Sequence, residues 1–215
     1  PFNAPIEVRE GALWTQRDPN APNLVPEASI PAKPAVLQVN NSDLVFEEGT
    51  TNAACPLCGE VVEWIAISDA SETVNLEGEK HYYLAKDLSF PGNALLYDVY
   101  GLANMTCLHL NGKNLIAGGR AIYAGGYLNI MGNGIVSGNY TNAQVRAATM
   151  DVNAGTSSRL NLFGGTYTKN VENTTMPIIA IFVGGGNINM YAGATIDGTN
   201  TSISSGKTAD CLWIA

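Results

Sequence analysis

The chain has 215 residues, a mass of 22.7 kDa, a formal net charge of −8 and a pI near 4.6. This acidity argues against general nucleic-acid binding, because an acidic surface repels phosphate backbones. No apolar run approaches the ~18 residues that a membrane span requires. Charged residues make up only 14% of the chain, while 46% is apolar and glycine and asparagine number 23 and 22. Since both of these residue types tolerate positive φ, the composition predicts many short strands and tight turns.

Proline and charge divide the chain into three zones. Residues 1–48 hold seven of the ten prolines and are predicted to form an extended arm or linker, because proline fixes φ and lacks an N–H group. Five apolar side chains favour an arm that lies on the protein as a strap: Phe2, Ile6, Val8, Leu13 and Trp14. Residues 49–100 form a Cys-containing cap, and 15 of the 19 acidic side chains lie at or before residue 100. Residues 101–215 form a repetitive zone.

Four segments of the repetitive zone share an apolar–polar–apolar pattern that runs into a glycine. They begin at Leu108, Leu128, Leu160 and Ile188, at intervals of 20, 32 and 28 residues. A second short apolar segment follows each of them, and a third precedes three of them. A three-residue strand cannot bury its apolar side alone, but strands stacked about 4.8 Å apart share a continuous core. We therefore expect an all-β chain that forms a parallel β-helix, with an antiparallel β-sandwich as the alternative.

The polar residue of each triplet is predicted to point away from the core. Asn129, Asn161 and Asn189 are expected to stack as an outward-facing ladder. His109 is expected to head the same column.

The segment Cys55-Pro56-Leu57-Cys58-Gly59 has the form of a metal-binding knuckle. Two thiolates at this spacing in a tight turn can occupy two corners of a tetrahedron around Zn²⁺. The remaining candidate ligands in the whole chain are His81, Cys107, His109 and Cys211. His81 and Cys107 are expected near the N-terminal end of the stack, as is the knuckle, so the predicted structural zinc site is Cys55, Cys58, His81 and Cys107, with His109 as the alternate fourth ligand.

Two other interpretations of the cysteines remain open. Cys55 and Cys58 are also compatible with a disulfide or a redox pair, although a redox motif normally opens a helix and Val61–Ile67 is typical of a strand. Cys211 precedes an apolar run and is predicted to be a core thiol. A Cys107–Cys211 disulfide is not expected, because three rung steps separate these residues by roughly 14 Å.

The combination of the CPxCG segment with His81-Tyr82-Tyr83-Leu84 and Cys107-Leu108-His109-Leu110-Asn111-Gly112 resembles a module of large surface proteins from Gram-positive, often gut-dwelling, bacteria. In that module a CPxCG segment precedes the rungs of a right-handed parallel β-helix. The resemblance covers roughly residues 50–215. It implies a right-handed coil and an extracellular, multidomain context, and it supplies no established enzymatic role; with the knuckle described above, we expect the coil to carry an N-terminal zinc-knuckle-like cap.

The repetitive zone is poor in residues suited to catalysis. Polysaccharide lyases and hydrolases need clustered carboxylates or calcium-binding acids beside a basic residue, whereas this zone has four scattered acids: Asp151, Glu172, Asp197 and Asp210. We expect a non-enzymatic structural module of a cell-surface stalk or of a head-to-tail fibre. A glycan-binding adhesive module is the alternative, through Tyr123, Tyr127, Tyr167 and Tyr191, and a lyase or hydrolase is a weaker one.

The apolar run 211–215 has no polar cap, although stacked rungs need one. This predicts that the chain continues into neighbouring domains, or that its last rung meets another copy of itself. The proline-rich N-terminal arm of that copy is the expected contact.

Overall fold

The computed structural model describes residues 6–7, 15–16, 44–47, 49, 52–98, 105–141, 147–152, 158–172, 178–198 and 212–214. Within these ranges the chain is built from strands, bends and turns, with no helix. The described part of the chain accordingly contains no helix with the length and hydropathy for a bilayer crossing.

The strands are, in chain order, β1 (Ile6–Glu7), β2 (Thr15–Gln16), β3 (Asn52–Ala54), β4 (Val61–Ile67), β5 (Val74–Asn75), β6 (His81–Leu84), β7 (Leu88–Phe90), β8 (Leu95–Tyr97), β9 (Met105–His109), β10 (Leu115–Ala117), β11 (Ile122–Ala124), β12 (Tyr127–Met131), β13 (Ile135–Thr141), β14 (Ala147–Val152), β15 (Arg159–Leu162), β16 (Thr166–Glu172), β17 (Ile178–Val183), β18 (Asn187–Met190), β19 (Thr195–Ile196) and β20 (Leu212–Ile214).

Strands β4 to β20 form a right-handed parallel β-helix with three faces, and β3 extends the first of them by antiparallel pairing with β4. The first sheet has the order β18-β15-β12-β9-β6-β4-β3, the second β19-β16-β13-β10-β7, and the third β20-β17-β14-β11-β8-β5. Three consecutive strands, one from each sheet, make one turn, so that β9, β10 and β11 lie directly on β6, β7 and β8. The parallel pairing confirms the predicted β-helix and excludes the antiparallel sandwich.

The parallel pairing begins within the segment that the sequence analysis assigned to the cap. Strand β4 pairs with β6, and β5 pairs with β8. The rungs therefore include residues 61–97, and the knuckle that precedes β4 sits at the end of the coil.

Alternating side chains fill the interior of the coil. In the first sheet Leu108, Ile130 and Leu162 stand in one inward column, and each is fully buried. Side chains from all three sheets meet in one continuous hydrophobic core. This burial explains why triplets that are too short to be stable alone persist as strands.

The first repeat, which begins at Leu108, pairs with the next one in a different register from the one predicted by aligning their glycines. Leu128 pairs with Leu160, and Leu160 with Ile188, as predicted. Leu108, however, pairs with Ile130, two residues further along than predicted. Cys107 therefore pairs with Asn129 and heads the asparagine column, and the expectation that His109 heads it was wrong.

The outer face of the first sheet is covered by a second hydrophobic cluster. Phe46, Trp64, Tyr83 and Phe163 belong to it, together with Cys55, Cys107 and Met131. Phe46 comes from the segment 44–47, and its ring stacks on that of Tyr83 at 4.4 Å. Asn129 and Asn161 are only 1% and 3% exposed and Asn189 is half-buried, so the asparagine ladder faces outward from the coil but is largely covered.

Two predictions concern residues mainly outside the described ranges. Of the arm 1–48, the structure gives β1 and β2, which pair antiparallel, and the segment 44–47. Cys211 also lies outside the described residues, so its prediction as a core thiol stays a prediction.

Truncation of an inward-facing isoleucine should destabilise the protein more than truncation of an outward-facing one. Ile130→Ala should lower the free energy of unfolding by about 2–5 kcal/mol, because the side chain is fully buried in the core. Ile135→Ala is the matched control and should cost less than about 1 kcal/mol, because Ile135 is 41% exposed. Urea unfolding of both variants measures these values, and equal losses would contradict the assigned alternation.

Candidate metal centre

The knuckle is a short antiparallel turn between β3 and β4. Ala54 pairs with Val61, the Cys55 N–H donates to the Glu60 carbonyl at 2.8 Å, and the Gly59 N–H donates to the Cys55 carbonyl at 2.8 Å. Gly59 has a φ of +73°, which a residue with a Cβ rarely adopts. The glycine of the CPxCG segment therefore permits the turn that brings both cysteines to one side.

Parallel register supplies the other two candidate ligands. His81 begins β6 and pairs directly with Cys107 in β9, so their side chains project from the same face of adjacent strands. Trp64, which pairs with His81 on the other side, packs its ring edge-on to the imidazole at 5.1 Å. The Trp64 indole N–H donates to the Ala53 carbonyl at 3.2 Å and thereby links the knuckle to this column.

Three of the four predicted ligands meet at one point, and the fourth, Cys58, lies next to one of them. The ligand atoms of Cys55, His81 and Cys107 all lie within 4.8 Å of one another, and this group could hold a metal ion. Cys58 lies beside them, with its Sγ 3.6 Å from His81 Nε2. For Zn–S and Zn–N bonds of about 2.3 and 2.05 Å, a regular tetrahedron has a sulfur–nitrogen edge of about 3.6 Å. The Cys58–His81 separation thus matches one edge of a zinc tetrahedron.

The thiols of the centre influence one another strongly. The pKa of Cys55 is lowered by hydrogen bonds from Cys107, His81 and Cys58, against the opposing effect of burial. The pKa of Cys107 is raised by its hydrogen bond to Cys55 and by burial, and that of Cys58 by burial and by Cys55. A single thiolate is therefore favoured in the metal-free protein. A bound divalent cation would balance the negative charge of several thiolates at once.

His109 is placed apart from this group. It pairs with Tyr83 and Met131, one outward position further along than Cys107. Its Nδ1 accepts the Asn111 N–H at 3.0 Å, and its ring packs edge-on against Phe46 and Trp64. Burial lowers the pKa of His109 to about 4, so the imidazole is neutral at pH 7. This environment is that of a packed core histidine.

Two residues near the centre make contacts that the sequence analysis did not predict. Asn111 has a φ of +55°, and its side chain bonds both the N–H and the carbonyl of Phe46. Asn129 places its amide against the Cys107 sulfur, with Nδ2 3.7 Å from Sγ. Only the correct pairing of β9 with β12 brings Asn129 to this place, so a triplet alignment based on the glycines misses it.

The tyrosines named for glycan binding lie in different environments. Tyr167 is fully buried, and its hydroxyl donates to the Gly164 carbonyl at 2.7 Å, so its ring is not available for stacking. Tyr191 stacks on Phe163 at 4.3 Å. Tyr123 and Tyr127 are half-buried, with the guanidinium groups of Arg120 and Arg159 over their rings at 4.7 and 5.4 Å.

No protein-family model, curated protein or solved structure matches this chain.

The exposures of the three described cysteines predict an order of chemical modification. Cys58 is exposed, whereas Cys55 and Cys107 are buried. In metal-free native protein, iodoacetamide should alkylate Cys58 at least roughly tenfold faster than Cys107, because a buried thiol reacts only through local opening, whereas the lowered pKa of Cys55 opposes the effect of its burial. Peptide mass spectrometry over time measures each rate, and unfolded protein, in which the three rates should converge, is the control. Equal rates for Cys58 and Cys107 in the native protein would contradict the assigned burial.

Proposed function

We propose that this chain is a non-enzymatic, extracellular structural rod segment of a cell-surface stalk or head-to-tail fibre, and that a structural Zn²⁺ fastens its N-terminal cap. Cys55, Cys58, His81 and Cys107 are the proposed ligands. The observation that carries the zinc proposal is the convergence of Cys55, His81 and Cys107 from the knuckle, β6 and β9, with Cys58 Sγ next to the imidazole of His81. With four protein ligands no coordination position is left for a substrate, so the ion would act on stability.

The position of the centre supports a fastening role. The knuckle and β3 precede the first rungs, while Cys107 belongs to a strand inside the stack. A bound cation would tie these elements together without a disulfide. It would also hold β3 against β4, which lies at the end of the parallel part of this sheet and would otherwise expose a strand edge.

The described carboxylates give little support to an enzyme. Asp151 is the acid most suited to a chemical role, because burial raises its pKa even though the Arg120 guanidinium acts in the opposite direction. Its Oδ2 is held by Arg120 at 3.0 Å. A rod that carries load or spaces other domains needs no such group, and the continuous core of the coil suits that role.

Glycan binding has less support than a structural role. Tyr167 is buried, and Arg120 and Arg159 already cover one face of the Tyr123 and Tyr127 rings. Sugar stacking requires an open aromatic face.

Metal removal tests the zinc proposal. Protein purified without chelators should contain one zinc ion per chain, and its removal should lower Tm by about 10 °C. Zinc at about 1,000-fold over its Kd adds about 4 kcal/mol, and each kcal/mol shifts Tm by about 2–4 °C at this chain length. Absence of zinc together with a Cys55–Cys58 disulfide would contradict the proposal.

A pair of histidine variants identifies the fourth ligand. His81→Gln should weaken zinc binding by more than about 100-fold, because loss of outer hydrogen-bond partners alone costs about 10- to 100-fold. His109→Gln, the matched control, should keep zinc binding while losing some packing against Phe46. Competition with a chromophoric chelator measures both affinities, and the reverse order would make His109 the ligand.

In the proposed fibre, a second copy would be added at the other end of the coil. β18, β19 and β20 end the three sheets, and none of the described strands pairs with their outer edges. β20 already uses its inner edge to pair with β17. Electron microscopy of concentrated protein should show thin rods, lengthened by end-to-end contact if a second copy pairs there. Compact, closed oligomers would contradict both the stalk and the fibre.

A further inference from the structure

The asparagine ladder ends on the metal centre. Asn189 Nδ2 donates to Asn161 Oδ1, and Asn161 Nδ2 donates to Asn129 Oδ1, both at 2.7 Å. Asn129 Nδ2 then approaches Cys107 Sγ at 3.7 Å. Every amide in the ladder therefore has its N–H group directed towards the sulfur and its oxygen directed away from it.

The direction of the ladder suits a metal-bound thiolate. A thiolate has no proton and can only accept hydrogen bonds. If Asn129 were reversed, its oxygen would face the Cys107 sulfur and its NH₂ group would face that of Asn161. Asn161, through its own bond from Asn189, thus holds Asn129 in the orientation that donates to sulfur.

Burial makes the hydrogen bond from Asn129 to Cys107 costly to lose. Asn129 is 1% exposed and Cys107 is fully buried, so neither group has ready access to water. They lie beside Met131 and Phe163 in the outer hydrophobic cluster. A buried amide without a partner is costly, and a buried thiolate without a donor is harder to stabilise.

We propose that Asn129 is a positioning residue of the metal centre, which donates to Cys107 Sγ and is itself held in place by Asn161. This inference rests on the proposed function, because it concerns how the same centre binds its cation. Hydrogen-bond partners of metal ligands orient them and commonly change affinity by about 10- to 100-fold.

Cobalt substitution in the 215-residue chain tests this role. Co²⁺ bound by thiolates has a sulfur-to-metal charge-transfer band, which reports on the electron density at sulfur. Asn129→Leu has nearly the same size but no donor, so it should weaken Co²⁺ binding about 10- to 100-fold. The band should also move to longer wavelength, since a sulfur without this hydrogen bond gives up an electron more easily.

Asn161→Leu is the matched control. It removes an amide from the same column one rung away and leaves the Asn129 N–H beside the sulfur. Because Asn161 holds Asn129 but does not itself reach the sulfur, its loss should move the band in the same direction by a smaller amount and should weaken Co²⁺ binding much less than Asn129→Leu. A purely structural role of Asn129 would lower the folding stability of both variants and leave the band of both at the wild-type wavelength.

A second substitution covers the case in which Asn129→Leu does not fold. Asn129→Asp keeps the shape and can accept from Asn161, but it presents no N–H group to Cys107 and adds a negative charge. It should also weaken Co²⁺ binding at least about tenfold.

The outcomes separate the two proposals. Wild-type affinity and an unshifted band in a folded Asn129 variant would overturn the role of Asn129 while leaving the metal centre in place. Absence of charge-transfer bands in the wild-type protein titrated with Co²⁺ would overturn the metal centre itself.

Discussion

The structure depends on the in-register pairing of parallel strands from successive turns. Each strand is too short to bury a useful area by itself, so it is stabilised by the strands on either side and by the core that they share. The same pairing places side chains of equal position in columns along the coil. One column, outward from the first sheet, runs from Trp64 and His81 through Cys107 to the three asparagines.

This column connects the candidate metal centre to the asparagine ladder. At its N-terminal end the knuckle closes over it, so that side chains from residues 55 and 107 come into contact across a long stretch of sequence. Further along, the amides pass hydrogen bonds from one rung to the next. A cation at the head of the column would therefore act on an already ordered row of side chains.

The outer face of the first sheet also carries buried apolar side chains, as the interior of the coil does. A β-helix needs only its inner face to be apolar, yet here Met131 and Phe163 point outward and are buried. The segment 44–47 accounts for part of this cover through Phe46, which Asn111 anchors by two backbone hydrogen bonds. Water is thereby excluded from the region next to the candidate metal centre, where hydrogen bonds and charges act more strongly.

The sequence by itself determined the strand-forming triplets, the knuckle with its glycine and the identity of the candidate ligands, because alternation and turn chemistry are local properties. It did not determine which rung positions face each other in the first repeat. Gly112 suggested that Leu108 would lie opposite Leu128, but in the structure Leu108 pairs with Ile130, two residues away. Only the tertiary structure decided that Cys107 rather than His109 meets Asn129, and that Phe46 covers this face, because both depend on contacts between residues far apart in the chain.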